Sequence, residues 1–270
     1  MDSKKSFLTP PIAILIGSVI VSLAILIAGG TIPISLKTVK GVKTENVQVP
    51  VPQVTQVPEQ PTVSLDKVKE SFTKSQIKFG DVNKKLIALE ISDPSCPYCH
   101  AAAGQNPSLN KQMGAQFTLV SDGGTYIAPV AEIEKLVNSG KASFAWIYYP
   151  GHGAGEMGTK SFYCAFEKGK FWEVHSLIMS EKGYDLLNET VKNDKTKSGE
   201  IADFLAPVFD PITMKACLDS GKYDNRLKED MAIATSLSVR GTPNFYLNTT
   251  NFPGAVSFSA MESAVTSALK

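Results

Sequence analysis

No cysteine precedes Cys96 in this chain, so lipid attachment through a cysteine near the N-terminus is excluded. An excess of one charge is missing too. The 27 Lys and Arg residues meet 26 Asp and Glu for a net charge of +1, so nothing points to a polyanion such as nucleic acid as partner. No internal repeat is visible. A second Cys-x-x-Cys beside the one at Cys96 is also lacking, which removes the usual donor set of a structural zinc site. Of the three histidines, His152 and His175 have no ligand spacing between them, and capping or packing roles are expected for both.

Charge is absent altogether from Ser6 to Leu36. Ile12 to Ala28 is an unbroken apolar and small-residue run, and Gly29–Ile34 extends it to the roughly 20 residues that a membrane span requires. This predicts a short cytoplasmic segment and an uncleaved transmembrane signal-anchor within residues 1–36. A cleaved signal peptide competes with it, because Ala28-Gly29-Gly30 offers small residues for cleavage, although such apolar regions usually run to ~7–15 residues. Lys4 and Lys5 before the run are offset by Lys37 and Lys40 after it. Either reading exports the remainder. The expectation is a single-pass protein of the cell membrane, contacting the bilayer through its N-terminal helix, with the folded domain on the extracytoplasmic side.

Residues 37–63 carry Pro50, Pro52, Pro58 and Pro61 among valines and polar residues, the composition of a semi-extended tether; a β-edge strand is the competing reading. A folded domain is expected over 64–270. Lys78–Asp81 reads as a turn, Leu86–Ile91 as a buried strand, and His100–Gln112 as a helix despite Pro107. Val130, Ile133, Leu136 and Val137 mark a second helix, and Ala142–Tyr149 a second strand. Residues 151–239 read as mainly helical, Asn244–Leu247 as a strand, and Phe258, Met261, Val265 and Leu269 as a closing helix. The order is that of an α/β fold carrying a helical insertion at about 151–239.

Cys96-Pro97-Tyr98-Cys99 follows the first strand after a Pro-broken turn. Thiol–disulfide exchange needs an accessible thiolate and a second thiol within bonding reach. A helix beginning at the first cysteine supplies free N–H groups to its sulfur, and Pro97 suits a first helical turn. Cys96 is thus the candidate attacking thiol and Cys99 the resolving one. Such chemistry needs no soluble cofactor. Zinc and an ordinary structural disulfide remain alternatives. So does haem, since Cys96-Pro97-Tyr98-Cys99-His100 also fits the Cys-x-x-Cys-His attachment pattern of a c-type cytochrome. His100 either biases the thiolate or faces solvent.

Four blocks in order, Glu90–Cys99, Gly169–His175, Cys217–Tyr223 and Val239–Tyr246, resemble DsbA-like thioredoxin-fold oxidoreductases, in particular their membrane-anchored bacterial branch. The likeness spans about residues 64–270. It implies a thioredoxin-like fold with an inserted helical domain, and a protein thiol:disulfide oxidoreductase acting on exported proteins with cysteine thiols. It implies a quinone-linked membrane partner that reoxidises the redox pair. It places a cis-proline at Pro243, facing the sulfurs, with the Thr242 backbone as a docking edge; an ordinary trans turn is the alternative. It gives Glu90 the part of a buried acid relaying a proton near Cys99, against a carboxylate at a wet strand edge. Cys164 and Cys217 fall where many relatives carry a paired cysteine, implying a structural disulfide; a second redox relay is the alternative. Substrate oxidation is the direction expected, with reductase, isomerase and peptide-binding chaperone as alternatives. Phe171 and Trp172 read as core anchors of the insertion. Gln105–Thr125 is longer than the usual family segment, and either shapes a substrate groove or packs away.

Overall fold

The computed structural model describes residues 63–270. The predicted anchor and nearly all of the tether lie outside these residues. Among the described residues no helix is long and apolar enough to cross a membrane.

A five-stranded sheet organises the domain: β1 (Ile77–Phe79), β2 (Leu86–Ser92), β3 (Ala142–Tyr148), β4 (Asn244–Leu247) and β5 (Thr250–Pro253), in the order β1-β3-β2-β4-β5. β2 and β3 are parallel, and the other pairings are antiparallel. β2 and β3 are buried along their whole length, as continuous apolar central strands should be. Strand alternation splits the core into two layers. Leu86, Ala88, Phe144, Trp146, Phe245 and Leu247 point into the larger one, and Ile87, Leu89, Ile91, Ala145, Ile147 and Tyr246 into the smaller.

The smaller layer is closed by α1 (Leu65–Lys74) through Val68 and Phe72, and by a later helix through Ile233, Ala234 and Leu237. The larger layer takes α2 (Pro97–Ala103), α3 (Pro107–Gln112) beside it, and α4 (Pro129–Asn138). Between β3 and β4 the chain is helical: α5 (Glu156–Phe166), α6 (Phe171–Ile178), α7 (Glu181–Asp185), a π-helical turn at Leu186–Val191, α8 (Ser198–Phe204), α9 (Pro211–Asp219) and α10 (Asp224–Ser236). α11 (Phe258–Leu269) closes the chain. Phe171 is buried and Trp172 packs against the same core, in an aromatic cluster with Phe79, Phe144 and Phe162.

Three details differ from the sequence reading. His100–Gln112 is two helices, because Gly104 takes the left-handed conformation that ends α2 and Asn106 caps α3 ahead of Pro107. The turn expected at Lys78–Asp81 starts later, since Lys78 and Phe79 pair with β3 and Gly80 is the first residue to leave the strand, at φ 82°. Residues 250–253 form the edge strand β5.

Candidate active site

β2 ends at Ser92, and Asp93-Pro94-Ser95 turns the chain into α2 with Cys96 as its N-cap residue. The turn is tied by one buried carboxylate. Asp93 Oδ1 accepts from the Ser95 N–H (2.8 Å) and hydroxyl (2.7 Å). Its Oδ2 accepts from the N–H groups of Gly151 (2.6 Å) and His152 (2.9 Å) in the loop after β3. Ala154 N–H donates to Ser95 Oγ at 3.1 Å. Gly151 is pressed so close that a Cβ there would sit 1.9 Å from Thr242 Oγ1 and 3.4 Å from Cys96 Cβ. Sequence reasoning passed over Asp93 and Gly151, whose partners come from distant parts of the chain.

The two sulfurs are free thiols in unequal surroundings. Cys96 is 4% exposed, less open than an attacking thiol was expected to be, while Cys99 is fully buried. The Cys99 thiol, chiefly, stabilises the Cys96 thiolate; Thr242 and the backbone N–H groups of Cys99 and Tyr98 assist, and together they outweigh burial and hold Cys96 at about 6. Burial and the neighbouring Cys96 sulfur push Cys99 well above the ordinary thiol range. Cys99 Sγ accepts a 3.4 Å hydrogen bond from Asp93 N–H. The Thr242–Pro243 peptide is cis, and Cys96 Sγ stands 3.5 Å from the Thr242 carbonyl oxygen.

Glu90 is fully buried in the central strand, between Trp146 and Phe245 on the flanking strands, so the wet-edge alternative does not hold. Strand parity turns it into the layer that also holds Cys99. Burial raises its carboxyl to about 8. Ser92, two residues on, sets a hydroxyl close to both Glu90 and Cys99 and pulls each downward. Neither Glu90 oxygen nor Ser92 Oγ has a hydrogen-bond partner of good geometry among the described residues. Ser92 was not singled out from sequence; its place on the strand face of Glu90 was the available signal.

His100 is fully buried rather than solvent-facing. Its Nδ1 lies 2.8 Å from the Met179 carbonyl oxygen and its Nε2 2.8 Å from that of Pro94. Fully buried with a backbone carbonyl facing each nitrogen, the ring has no open side for a haem iron, and the cytochrome reading loses its axial ligand. Burial lowers His100 to about 4. His175, also buried and lowered to about 3 by burial, packs against Phe162 and Phe171. Cys164 and Cys217 are bonded to each other across α5 and α9, with Cα atoms 6.1 Å apart. Among the described residues no His, Cys, Asp or Glu cluster is suited to hold a metal ion.

A family model described as Thioredoxin matches residues 130–267, half of the chain. The chain belongs to the thioredoxin family. The matched part of this thioredoxin-family chain runs from α4 to α11 and includes the cis-proline, whereas Cys96 and Cys99 lie ahead of it. Among solved structures it is similar to oxidised BdbD from Bacillus subtilis (TM-score 0.52, 16% identity, covering 73% of this chain and 94% of that one). A variant of alpha-DsbA1 from Wolbachia pipientis gives a TM-score of 0.54 at 13% identity over 77% and 96% of the two chains. A thioredoxin-like oxidoreductase from Silicibacter pomeroyi gives 0.51 at 19% identity over 76% and 98%. At these identities the likeness is one of fold. Among curated proteins, the chain is 26% identical over 192 residues to Na(+)/H(+) antiporter NhaA 3 of Salinispora tropica, covering 70% of this chain and 24% of that protein. It is 24% identical over 196 residues to NhaA 1 of Salinispora arenicola. The chain spans about a quarter of the length of these relatives.

Proposed function

We propose that this thioredoxin-family protein is a protein thiol:disulfide oxidoreductase that forms disulfides in exported proteins through Cys96 and Cys99. The observation that carries the reading is the placing of two free thiols: Cys96 caps the start of α2 with its Sγ 3.5 Å from the Thr242 carbonyl oxygen beside the cis-proline, and Cys99, one turn on, is fully buried. The surroundings that hold Cys96 at about 6 and push Cys99 well above the ordinary range support Cys96 as the attacking sulfur and Cys99 as the resolving one.

In the oxidising direction, a client thiolate attacks the Cys96 sulfur of the Cys96–Cys99 disulfide. The S–S bond breaks, a mixed disulfide forms on Cys96, and Cys99 leaves with the electron pair. Cys99 is a poor thiolate where it sits, so it takes up a proton. Our candidate donor is Glu90, a carboxyl that burial raises to about 8, with Ser92 lying close to both Glu90 and Cys99. A second client thiolate then attacks the client sulfur of the mixed disulfide. Cys96 departs as a stable thiolate, and two electrons have passed from client to protein. Stabilising that thiolate favours the reduced form, which makes the disulfide an oxidant. The Thr242 backbone, next to Cys96 Sγ, supplies an edge for an extended client.

The working site is outside the cytoplasm, with residues 1–36 as membrane anchor and a quinone-linked membrane protein as reoxidising partner. The uncharged run from Ser6 to Leu36 supports the first of these; the partner follows from the DsbA-like resemblance. The same fold run in reverse gives a reductase or isomerase.

A pH titration of thiolate absorbance in the reduced protein, compared with Cys96→Ser, tests the proposal. We expect one transition near 6 that is lost in the variant. A Cys96 pKa near the ordinary ~8.5 would overturn the oxidase assignment. Trapping gives the second arm: Cys99→Ala should accumulate client mixed disulfides, and Cys96→Ala should not.

A further inference from the structure

Tyr98 lies between the two cysteines and is 48% exposed, one of few large apolar side chains left open among the described residues. Its ring meets Phe117 edge-on at 5.8 Å, and Phe117 in turn meets Tyr126 at 5.6 Å. Phe117 belongs to the long segment between α2 and α4. Val120, 57% exposed, stands on the same loop.

The segment is built to hold this place. Asn110 is fully buried, and its side-chain amide donates to the carbonyl of Ala101 in α2 (3.3 Å) and to that of Phe117 (3.0 Å). Val120 N–H donates to Tyr126 O and Tyr126 N–H to Thr118 O, closing the loop on itself. Gly124 allows that closure, because a Cβ there would lie 2.0 Å from Thr118 O. At its far end Ile127 N–H donates to Ser257 Oγ, and Phe258 N–H to Ile127 O. An exposed Tyr98 ring backed by the half-buried Phe117 on a braced backbone is pre-organised for contact.

We propose that Tyr98 and Phe117 form a shelf for an aromatic or branched aliphatic side chain of an unfolded exported client, two residues from the client's reacting cysteine. The proposal rests on the disulfide-exchange reading of Cys96 and adds the client's chemistry to it. Continuity assigns the occupant: the shelf begins at a residue of the redox motif, so a chain joined to Cys96 Sγ lies against it. An extended client advances about 3.3 Å per residue and alternates its faces, so the side chain two positions from its cysteine, on the same face as that cysteine, meets rings that start at the motif and lead away from it. A client held this way is bound by side chain on one flank and by the Thr242 backbone at the other.

The test uses the full chain and two otherwise identical dithiol peptides, one with phenylalanine two residues from the attacking cysteine and one with glycine there. Phe117→Ala should lower kcat/KM for the phenylalanine peptide about tenfold, leave the glycine peptide within about twofold, and leave the reduction potential unchanged. Phe117→Leu should restore most of the loss. Equal losses on both peptides, or none on either, would overturn the shelf. Serine-for-cysteine versions of both peptides, followed by fluorescence anisotropy, read binding without chemistry. If the native protein oxidises neither peptide while Phe117-dependent binding persists, the exchange reading fails and the shelf stands. Binding that ignores Phe117, or that fades as protein concentration rises because a second copy occupies the site, would defeat the shelf itself.

Discussion

Two cysteine pairs share this domain, and their surroundings give them opposite work. Cys164 and Cys217 are separated by 53 residues, sit on two packed helices of the insertion, and are joined. Cys96 and Cys99 are one helical turn apart, with one sulfur at a helix start and the other sealed beneath it. For the distant pair, bonding closes a long loop and restricts the unfolded chain; ~53 residues correspond to a ceiling of about 4 kcal/mol. For the neighbouring pair the closed loop is trivial, and the free energy lies in ionisation instead. A disulfide is thus a brace or a reagent according to the donors and the burial around each sulfur.

Exchanging the outcomes of the two pairs is the strongest way to break this comparison. Cys96→Ser should abolish peptide oxidation, by on the order of a thousandfold or more, with little change in unfolding free energy. The Cys164→Ser/Cys217→Ser variant should keep its oxidation rate per folded molecule and lose up to about 4 kcal/mol in denaturant unfolding. A double-serine variant that folds as stably as the native protein would remove the brace from the argument.

Glu90 sharpens the comparison on the side of ionisation. A carboxyl raised from 4.5 to about 8 is an acid the fold holds back from ionising. The folded state therefore loses stability as pH rises from 4.5 towards 8, because the unfolded chain releases a proton that the folded chain keeps. The loss should reach about 4 kcal/mol by pH 8, and Glu90→Gln should flatten the profile. Urea unfolding of both proteins at pH 5 and pH 8 is the measurement, and parallel profiles would show that Glu90 ionises freely. Glu90→Gln should also slow resolution of a Cys96 mixed disulfide.

The smallest expected effect belongs to Ser92→Ala. If the hydroxyl assists proton delivery between Glu90 and Cys99, the alanine variant should slow resolution several-fold and leave attack by Cys96 unchanged. Stopped-flow separation of the two steps is the check. An equal slowing of both steps would make Ser92 a packing residue only.

The sequence shows some of this site and hides the rest for physical reasons. Cys96 and Cys99 are legible because their relation is local: spacing, Pro97 and the strand before them lie within one short stretch. β2 and β3 are legible because central strands are apolar throughout. β1 and β5 are three and four residues long, too short for a period to declare itself. His100 could be read as solvent-facing or as a haem ligand because one of its two partners, Met179, lies 79 residues away. Glu90 sat in an apolar strand, but an acid there reads equally as an edge until both neighbouring strands are placed. Asp93 announces a turn with Ser95 and conceals its other partners, 58 and 59 residues on.

That division within Asp93 bears on when the protein becomes reactive as it folds. The turn that presents Cys96 is half made by residues that emerge together and half by a loop that exists only once β3 is in the sheet. The nascent chain therefore carries an ordinary thiol at Cys96, without its helix-start donors or the Cys99 thiol held beside it. Full reactivity requires the loop after β3 to be in place against Asp93. A newly made copy is in this way kept from cross-linking to other unfolded chains while it is unfolded itself. Pulsed alkylation during refolding at pH 6 should see fast labelling of Cys96 appear together with the native sheet and not before it.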